Sequence, residues 1–98
     1  MLEKTFQAKL KAEIKYMLPG SIVIKTDPTY NQGFPDLLIF YGDRWAALEC
    51  KCSKNAKHRP NQDYHIERLN AMSFAAFVYP ENKEEVLDAL FKTLRSDR

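Results

Sequence analysis

The feature that most constrains the fold is a hairpin of two apolar segments in the middle of the chain. Leu37 to Tyr41 is apolar on both faces, which is typical of a strand buried inside a sheet. Gly42-Asp43 follows with glycine at the first central position, as a type II′ turn favours, and residues 44–52 return as the partner strand. Such a hairpin belongs at the centre of a sheet that other elements cover.

Hydrophobic periodicity predicts the elements around this hairpin. In chain order they are a helix from Glu3 to Leu18, a strand over 21–26, a helix from Pro60 to Met72, a strand over 74–79 and a final helix. Asn82 followed three residues later by Glu85 resembles the cap of that final helix. The order α-β-β-β-α-β-α ends with a strand-helix-strand unit, which predicts a mixed central sheet flanked by helices in one α/β domain over residues 1–98.

Composition narrows the class of protein further. A chain of 98 residues with 45% hydrophobic residues supports one modest core. The longest uncharged apolar run, residues 71–80, is far shorter than the roughly 20 residues of a membrane-spanning helix, and no apolar signal region follows the charged N-terminus. Cys50 and Cys52 are badly placed to bridge each other, so we expect reduced thiols in a cytoplasmic protein.

Three charged residues interrupt the apolar hairpin and are therefore informative. Asp36 opens the first strand, while Glu49 and Lys51 lie within the second. Alternation places Glu49 and Lys51 on one face, opposite the apolar core face that carries Ala46, Leu48, Cys50 and Cys52. Counting outward from the turn pairs Asp36 with Glu49, with Cβ atoms about 4.5 to 5.5 Å apart.

Two neighbouring carboxylates repel each other, so this pair predicts a compensating cation. Mg²⁺ suits the pair best, with Mn²⁺ as a substitute, because it is held by one or two carboxylates plus water and phosphate oxygens. Lys51 then lies where it can orient an attacking water or stabilise charge on a phosphorane-like transition state. The predicted chemistry is phosphodiester hydrolysis. The alternative is a structural ion pair in which Lys51 neutralises one of the two acids.

These residues carry a family resemblance. Pro35-Asp36, twelve intervening residues and Glu49-Cys50-Lys51 resemble the signature of the PD-(D/E)XK nucleases. Within that superfamily the chain is most similar to the small phage and bacterial VRR-Nuc domains, through residues 33–37 and Pro60-Asn61-Gln62. The resemblance implies a restriction-endonuclease-like αβββαβ core. It also implies that Asp36, Glu49 and the backbone carbonyl of Cys50 bind the metal, and that Lys51 is the catalytic lysine.

Many members of the family add a glutamate from the first helix. Glu3, ahead of Phe6-Gln7, matches that pattern and is the preferred candidate for a further catalytic acid. Glu13 lies on the apolar stripe of the same helix and remains the alternative.

A basic segment without acidic residues follows the second hairpin strand. We expect it to track a phosphate backbone, together with Gln62 at the next helix start and two residues of the preceding loop that could contact sugar or base. The predicted nucleic-acid contacts are Lys54, Lys57, His58, Arg59, Gln62, Tyr30 and Gln32. Because no recognition helix or zinc finger is visible, binding should depend on DNA structure more than on base sequence.

The sequence thus predicts a metal-dependent DNA endonuclease. The resemblance implies a homodimer that acts on branched DNA such as Holliday junctions, without a small-molecule cofactor. Two alternatives stay open, a nicking or restriction-type nuclease on duplex or flapped DNA, and a non-catalytic nucleic-acid-binding module on the same fold.

Overall fold

The computed structural model describes residues 2–27 and 29–95, and the outer ends of the predicted 1–98 domain lie beyond them. The elements are α1 (Glu3–Met17), β1 (Ile22–Lys25), β2 (Leu37–Tyr41), β3 (Arg44–Cys50), α2 (Gln62–Met72), β4 (Ala75–Val78) and α3 (Lys83–Arg95). A 3₁₀ turn, Pro80–Asn82, joins β4 to α3. The chain is therefore an α/β domain with a four-stranded sheet and three helices, in the predicted order.

The sheet has the strand order β1-β2-β3-β4 and is mixed, as predicted. Strand β2 runs antiparallel to both β1 and β3, and β3 runs parallel to β4. Tyr41 pairs with Arg44 and Leu37 with Leu48, which confirms the register counted outward from the turn. Gly42 has a positive φ of 62°, as the first central residue of a type II′ turn requires.

One face of the sheet carries the core. Its fully buried side chains come from α1, the hairpin strands, β4 and α3, and include Leu10, Ile14, Leu37, Ile39, Leu48, Val78 and Leu90. Helix α2 packs on β3 and β4 from the opposite face, which is the face of Glu49. Both faces of β3 are therefore covered, and residues 46–51 are all buried.

Three details of the prediction were wrong. Helix α2 begins at Gln62 instead of Pro60, because Asn61 adopts a left-handed conformation with φ of 70°. Strand β3 ends at Cys50, so Cys52 leaves the sheet and is exposed. The Asn82 side chain accepts from the Tyr79 N–H and donates to the Phe77 carbonyl, so it closes the end of β4 instead of capping α3.

Across the described ranges, every helix is too short or too polar to cross a bilayer.

Candidate functional site

Three carboxylates from separate elements meet at one end of the sheet. Glu3 lies in the first turn of α1, Asp36 directly precedes β2 and Glu49 lies in β3. One carboxylate oxygen from each lies within 4.8 Å of the other two. The Asp36–Glu49 proximity follows the predicted register, and Glu3 joins that pair. Glu13 has a different partner, because its Oε2 accepts a hydrogen bond from Lys83 Nζ at 3.1 Å.

The position of Asp36 is fixed through both its side chain and its backbone. Its Oδ2 accepts a hydrogen bond from the Cys50 N–H at 2.9 Å, which ties the start of β2 to the end of β3. Its carbonyl accepts from the Thr26 N–H at 2.8 Å, next to the bond from Thr26 Oγ1 to the Pro35 carbonyl at 2.7 Å. Asp36 is therefore held in place from two sides, by β3 and by the residue that follows β1.

Glu49 is the most deeply buried of the three acids, with only 3% of its surface exposed. Its Oε2 accepts a hydrogen bond from Gln62 Nε2 at 3.0 Å, while its buried Oε1 has no hydrogen-bond partner within the described ranges. Burial, and then the negative charge of Asp36, raise the pKa of Glu49 to about 8, although Lys51 acts in the opposite direction. A cation bound beside Glu49 would act in the same direction as Lys51 and favour the ionised carboxylate.

Lys51 is almost as buried as Glu49, with 4% exposure. Its Nζ donates to Gln62 Oε1 at 2.7 Å and to the Lys57 carbonyl at 3.1 Å, and lies 4.0 Å from Glu49 Oε2. The ammonium group is thus held mainly by neutral acceptors and leaves much of the cluster's negative charge uncompensated.

Gln62 connects the acid and the lysine. Its amide nitrogen donates to Glu49, and its oxygen accepts from Lys51 and from the Arg59 N–H at 2.8 Å. Since only 5% of Gln62 is exposed, its side chain lies inside the site. The sequence signal for this role was weak: a glutamine just after Pro60-Asn61, at the start of a helix.

A cavity of about 460 Å³ opens above these groups, and basic residues form part of its wall. Four of the predicted nucleic-acid contacts line it: Gln32, Lys57, Arg59 and Gln62. The other three lie elsewhere. Tyr30 is exposed on its loop, the Lys54 N–H donates to Glu81, and His58 bonds Asp63 at 2.9 Å while its ring stacks on Phe77.

Gly33 allows the two walls of the cavity to come together. Its φ is 81°, and a Cβ atom there would lie 2.5 Å from the Pro60 carbonyl oxygen. Only glycine, which has no Cβ atom, leaves room for this contact, and it lets the loop before β2 pack on the turn before α2. That contact brings Gln32 and Phe34 to the same cavity as Arg59.

The donor set fits a hard divalent cation. Carboxylate oxygens are the ligands that Mg²⁺, Mn²⁺ and Ca²⁺ prefer. The buried Oε1 of Glu49, which no described residue hydrogen-bonds, is an acceptor that a cation would satisfy. The Cys50 thiol is a poor ligand, because burial raises its pKa and keeps it protonated. The cluster can therefore hold a metal ion through Glu3, Asp36 and Glu49.

Comparisons of the chain with protein-family models, with curated proteins and with solved structures found no match. The geometry of the site is consequently the basis for assigning a function.

Proposed function

We propose that this protein is a metal-dependent DNA endonuclease with a restriction-endonuclease-like core, similar to the VRR-Nuc group of the PD-(D/E)XK nucleases. One observation carries the proposal: three carboxylate oxygens lie within 4.8 Å of one another, next to a buried lysine and beneath a cavity with basic walls. In this arrangement the carboxylates suit a catalytic cation, and the basic groups of the cavity wall suit the phosphates of an anionic substrate.

In this proposal Glu3, Asp36 and Glu49, with the backbone carbonyl of Cys50, hold Mg²⁺, for which Mn²⁺ can substitute. The bound ion supplies Lewis-acid stabilisation of the negative charge that develops at a phosphodiester. Glu49 must be ionised to take part, and a cation beside it lowers the proton affinity that burial and Asp36 raise.

Lys51 orients the attacking water or stabilises charge on the phosphoryl oxygens. Two of its three ammonium hydrogens are bonded to Gln62 and Lys57, which fixes the direction of the third. Lys57 and Arg59 on the cavity wall neutralise the phosphate backbone of the substrate. The preferred substrate is branched DNA such as a Holliday junction, and duplex or flapped DNA is the alternative.

A purely structural ion pair explains the cluster less well. Among the described residues Lys51 forms the one ion pair with the cluster, and its shortest bonds go to neutral oxygens of Gln62 and Lys57. A buried, incompletely compensated acid such as Glu49 destabilises the fold and is a characteristic of functional sites.

We further propose that the working unit is a homodimer. Strand β1 is an edge strand, and Ile22, Ile24 and Phe40 are exposed on the same side of the sheet as α2, over β1 and β2, whereas α2 packs on β3 and β4. Ile22 pairs directly with Phe40, so these side chains form one apolar patch. A second copy related by a two-fold axis would cover both the patch and the free edge.

A cleavage panel tests the nuclease proposal. Supercoiled plasmid, a flap and a four-way junction are incubated with Mg²⁺ or Mn²⁺, and the unmutated protein should cut at least one of them. Asp36→Ala and Lys51→Ala should each lower the rate by at least about 100-fold while DNA binding persists. Lys92→Ala, which alters an exposed lysine of α3, is the matched control and should cut normally. If no substrate is cut with either metal, the binding-module alternative replaces the enzyme.

A further inference from the structure

A row of aromatic rings leads from the cavity to the surface. Phe34 lines the cavity, and its ring packs edge-on against His65 with ring centres 5.5 Å apart. His65 in turn packs edge-on against Tyr64, also at 5.5 Å. These three residues, the aromatic row, join the loop before β2 to the first turn of α2.

Aromatic residues usually pack in a core, but the outer end of this row does not. Tyr64 is 59% exposed, so its ring contributes little to burial and remains open to a ligand. A cation lies toward each end of the row: Arg59 lines the cavity together with Phe34, and the exposed Arg68 lies one helical turn beyond Tyr64 on α2. An exposed aromatic ring together with nearby cations is typical of surfaces that bind single-stranded nucleic acid.

We propose that Tyr64, the outer ring of the aromatic row, stacks on a base of an unpaired DNA strand that enters the cavity. This inference rests on the proposed nuclease function and specifies its substrate: DNA with an unpaired segment beside the scissile phosphate. In a duplex each base is stacked between neighbours, so its faces are closed to Tyr64. In a flap, a junction arm that has opened or a single strand, a base face is available while Lys57 and Arg59 contact the phosphates.

The test measures binding separately from cleavage. A fluorescein-labelled single strand of about 12 nucleotides, within the usual site size, and a duplex of the same length are titrated with protein in EDTA, and anisotropy is recorded. Tyr64→Ala should weaken single-strand binding by roughly fivefold to 150-fold and leave duplex binding unchanged. Tyr64→Phe keeps the ring and should bind like the unmutated protein.

Tyr16→Ala is the matched control, because Tyr16 is an 82% exposed tyrosine on a helix. It lies at the opposite end of α1 from Glu3, about 20 Å along the helix axis, and its removal should change nothing. Since Tyr64 is exposed, Tyr64→Ala should fold, which circular dichroism verifies.

Three results would overturn the inference: unchanged single-strand binding by Tyr64→Ala, equal losses for single strand and duplex, or no DNA binding by the unmutated protein. Failure of the nuclease proposal looks different. If the protein binds single strands through Tyr64 but cuts no DNA with Mg²⁺ or Mn²⁺, the stacking site stands and the nuclease proposal is wrong.

Discussion

Replacing Glu49 with glutamine isolates the electrostatic cost of the carboxylate cluster. The substitution preserves the size of the side chain, and the amide oxygen can still accept the hydrogen bond from Gln62. The amide nitrogen replaces an Oε1 that has no partner within the described ranges and can donate to a nearby acid. The main change is therefore the loss of a group that ionises.

The direction of the effect follows from the proton balance. Burial and the negative charge of Asp36 raise the pKa of Glu49 from 4.5 to about 8 in the folded protein. Between those pH values the folded protein keeps a proton that the unfolded chain releases, so the stability of the metal-free protein falls as pH rises. Glutamine lacks this dependence. The free energy of unfolding of Glu49→Gln, relative to the unmutated protein, should therefore increase from pH 4.5 to 8 and then level off.

The magnitude can be worked from the same values. At about 1.4 kcal/mol per pKa unit, a pKa moved from 4.5 to about 8 corresponds to about 5 kcal/mol at full ionisation. Water that enters the cavity as Glu49 ionises reduces this cost, so we expect a gain of between about 2 and 5 kcal/mol above pH 8. For a domain of this size, each kcal/mol raises the melting temperature by roughly 4 to 8 °C.

The assay is urea unfolding in EDTA from pH 4.5 to 9, for the unmutated protein, Glu49→Gln and a control. Glu67→Gln is the control because Glu67 is an exposed glutamate on α2, and it should follow the unmutated protein throughout. A stability difference for Glu49→Gln that is independent of pH, or that shrinks as pH rises, would refute the electrostatic account.

Three further predictions concern the surroundings of the cluster. Gln62→Leu should lower stability by about 1 to 3 kcal/mol and reduce cleavage, since Glu49 and Lys51 lose their shared partner; urea unfolding and single-turnover rates measure both effects. Gly33→Ala should also lower the free energy of unfolding by about 1 to 3 kcal/mol, because φ of Gly33 is 81° and the Pro60 carbonyl lies too close for a Cβ atom. An unchanged free energy of unfolding would show that the loop and the turn do not need this close contact. Ile24→Lys should shift the proposed dimer toward monomer in light scattering after size exclusion, whereas an unchanged mass would exclude the β1 patch as the interface.

The hairpin could be predicted because its information is local. Gly42 at the first turn position specifies the turn type, and alternation of apolar residues assigns the faces, so the register between Leu37 and Leu48 follows from counting. Once the register is known, the proximity of Asp36 to Glu49 is a matter of geometry and needs no knowledge of the remaining chain.

Contacts between distant elements could not be derived in this way. Whether Glu3 or Glu13 meets the hairpin depends on how α1 docks, and helical periodicity fixes a face but not the position along the axis. Gln62 enters the site because Asn61 turns left-handed and shifts the start of α2, which residue preferences alone did not indicate. Apolar alternation predicts that Cys52 belongs to β3 and faces the core, but the strand ends two residues earlier, at Cys50, and Cys52 is exposed.

The central claim, that Glu3, Asp36 and Glu49 form the metal centre of a nuclease, is tested most directly by comparing metal binding with cleavage in one preparation. Mn²⁺ binding is followed by electron paramagnetic resonance, and cleavage of the best substrate is measured over the same Mn²⁺ concentrations. We predict that half-saturation and half-maximal cleavage coincide, and that Asp36→Asn abolishes both while Asp88→Asn, an exposed aspartate of α3, alters neither. Cleavage by Asp36→Asn at the unmutated rate, or undiminished Mn²⁺ binding by that variant, would contradict the assignment.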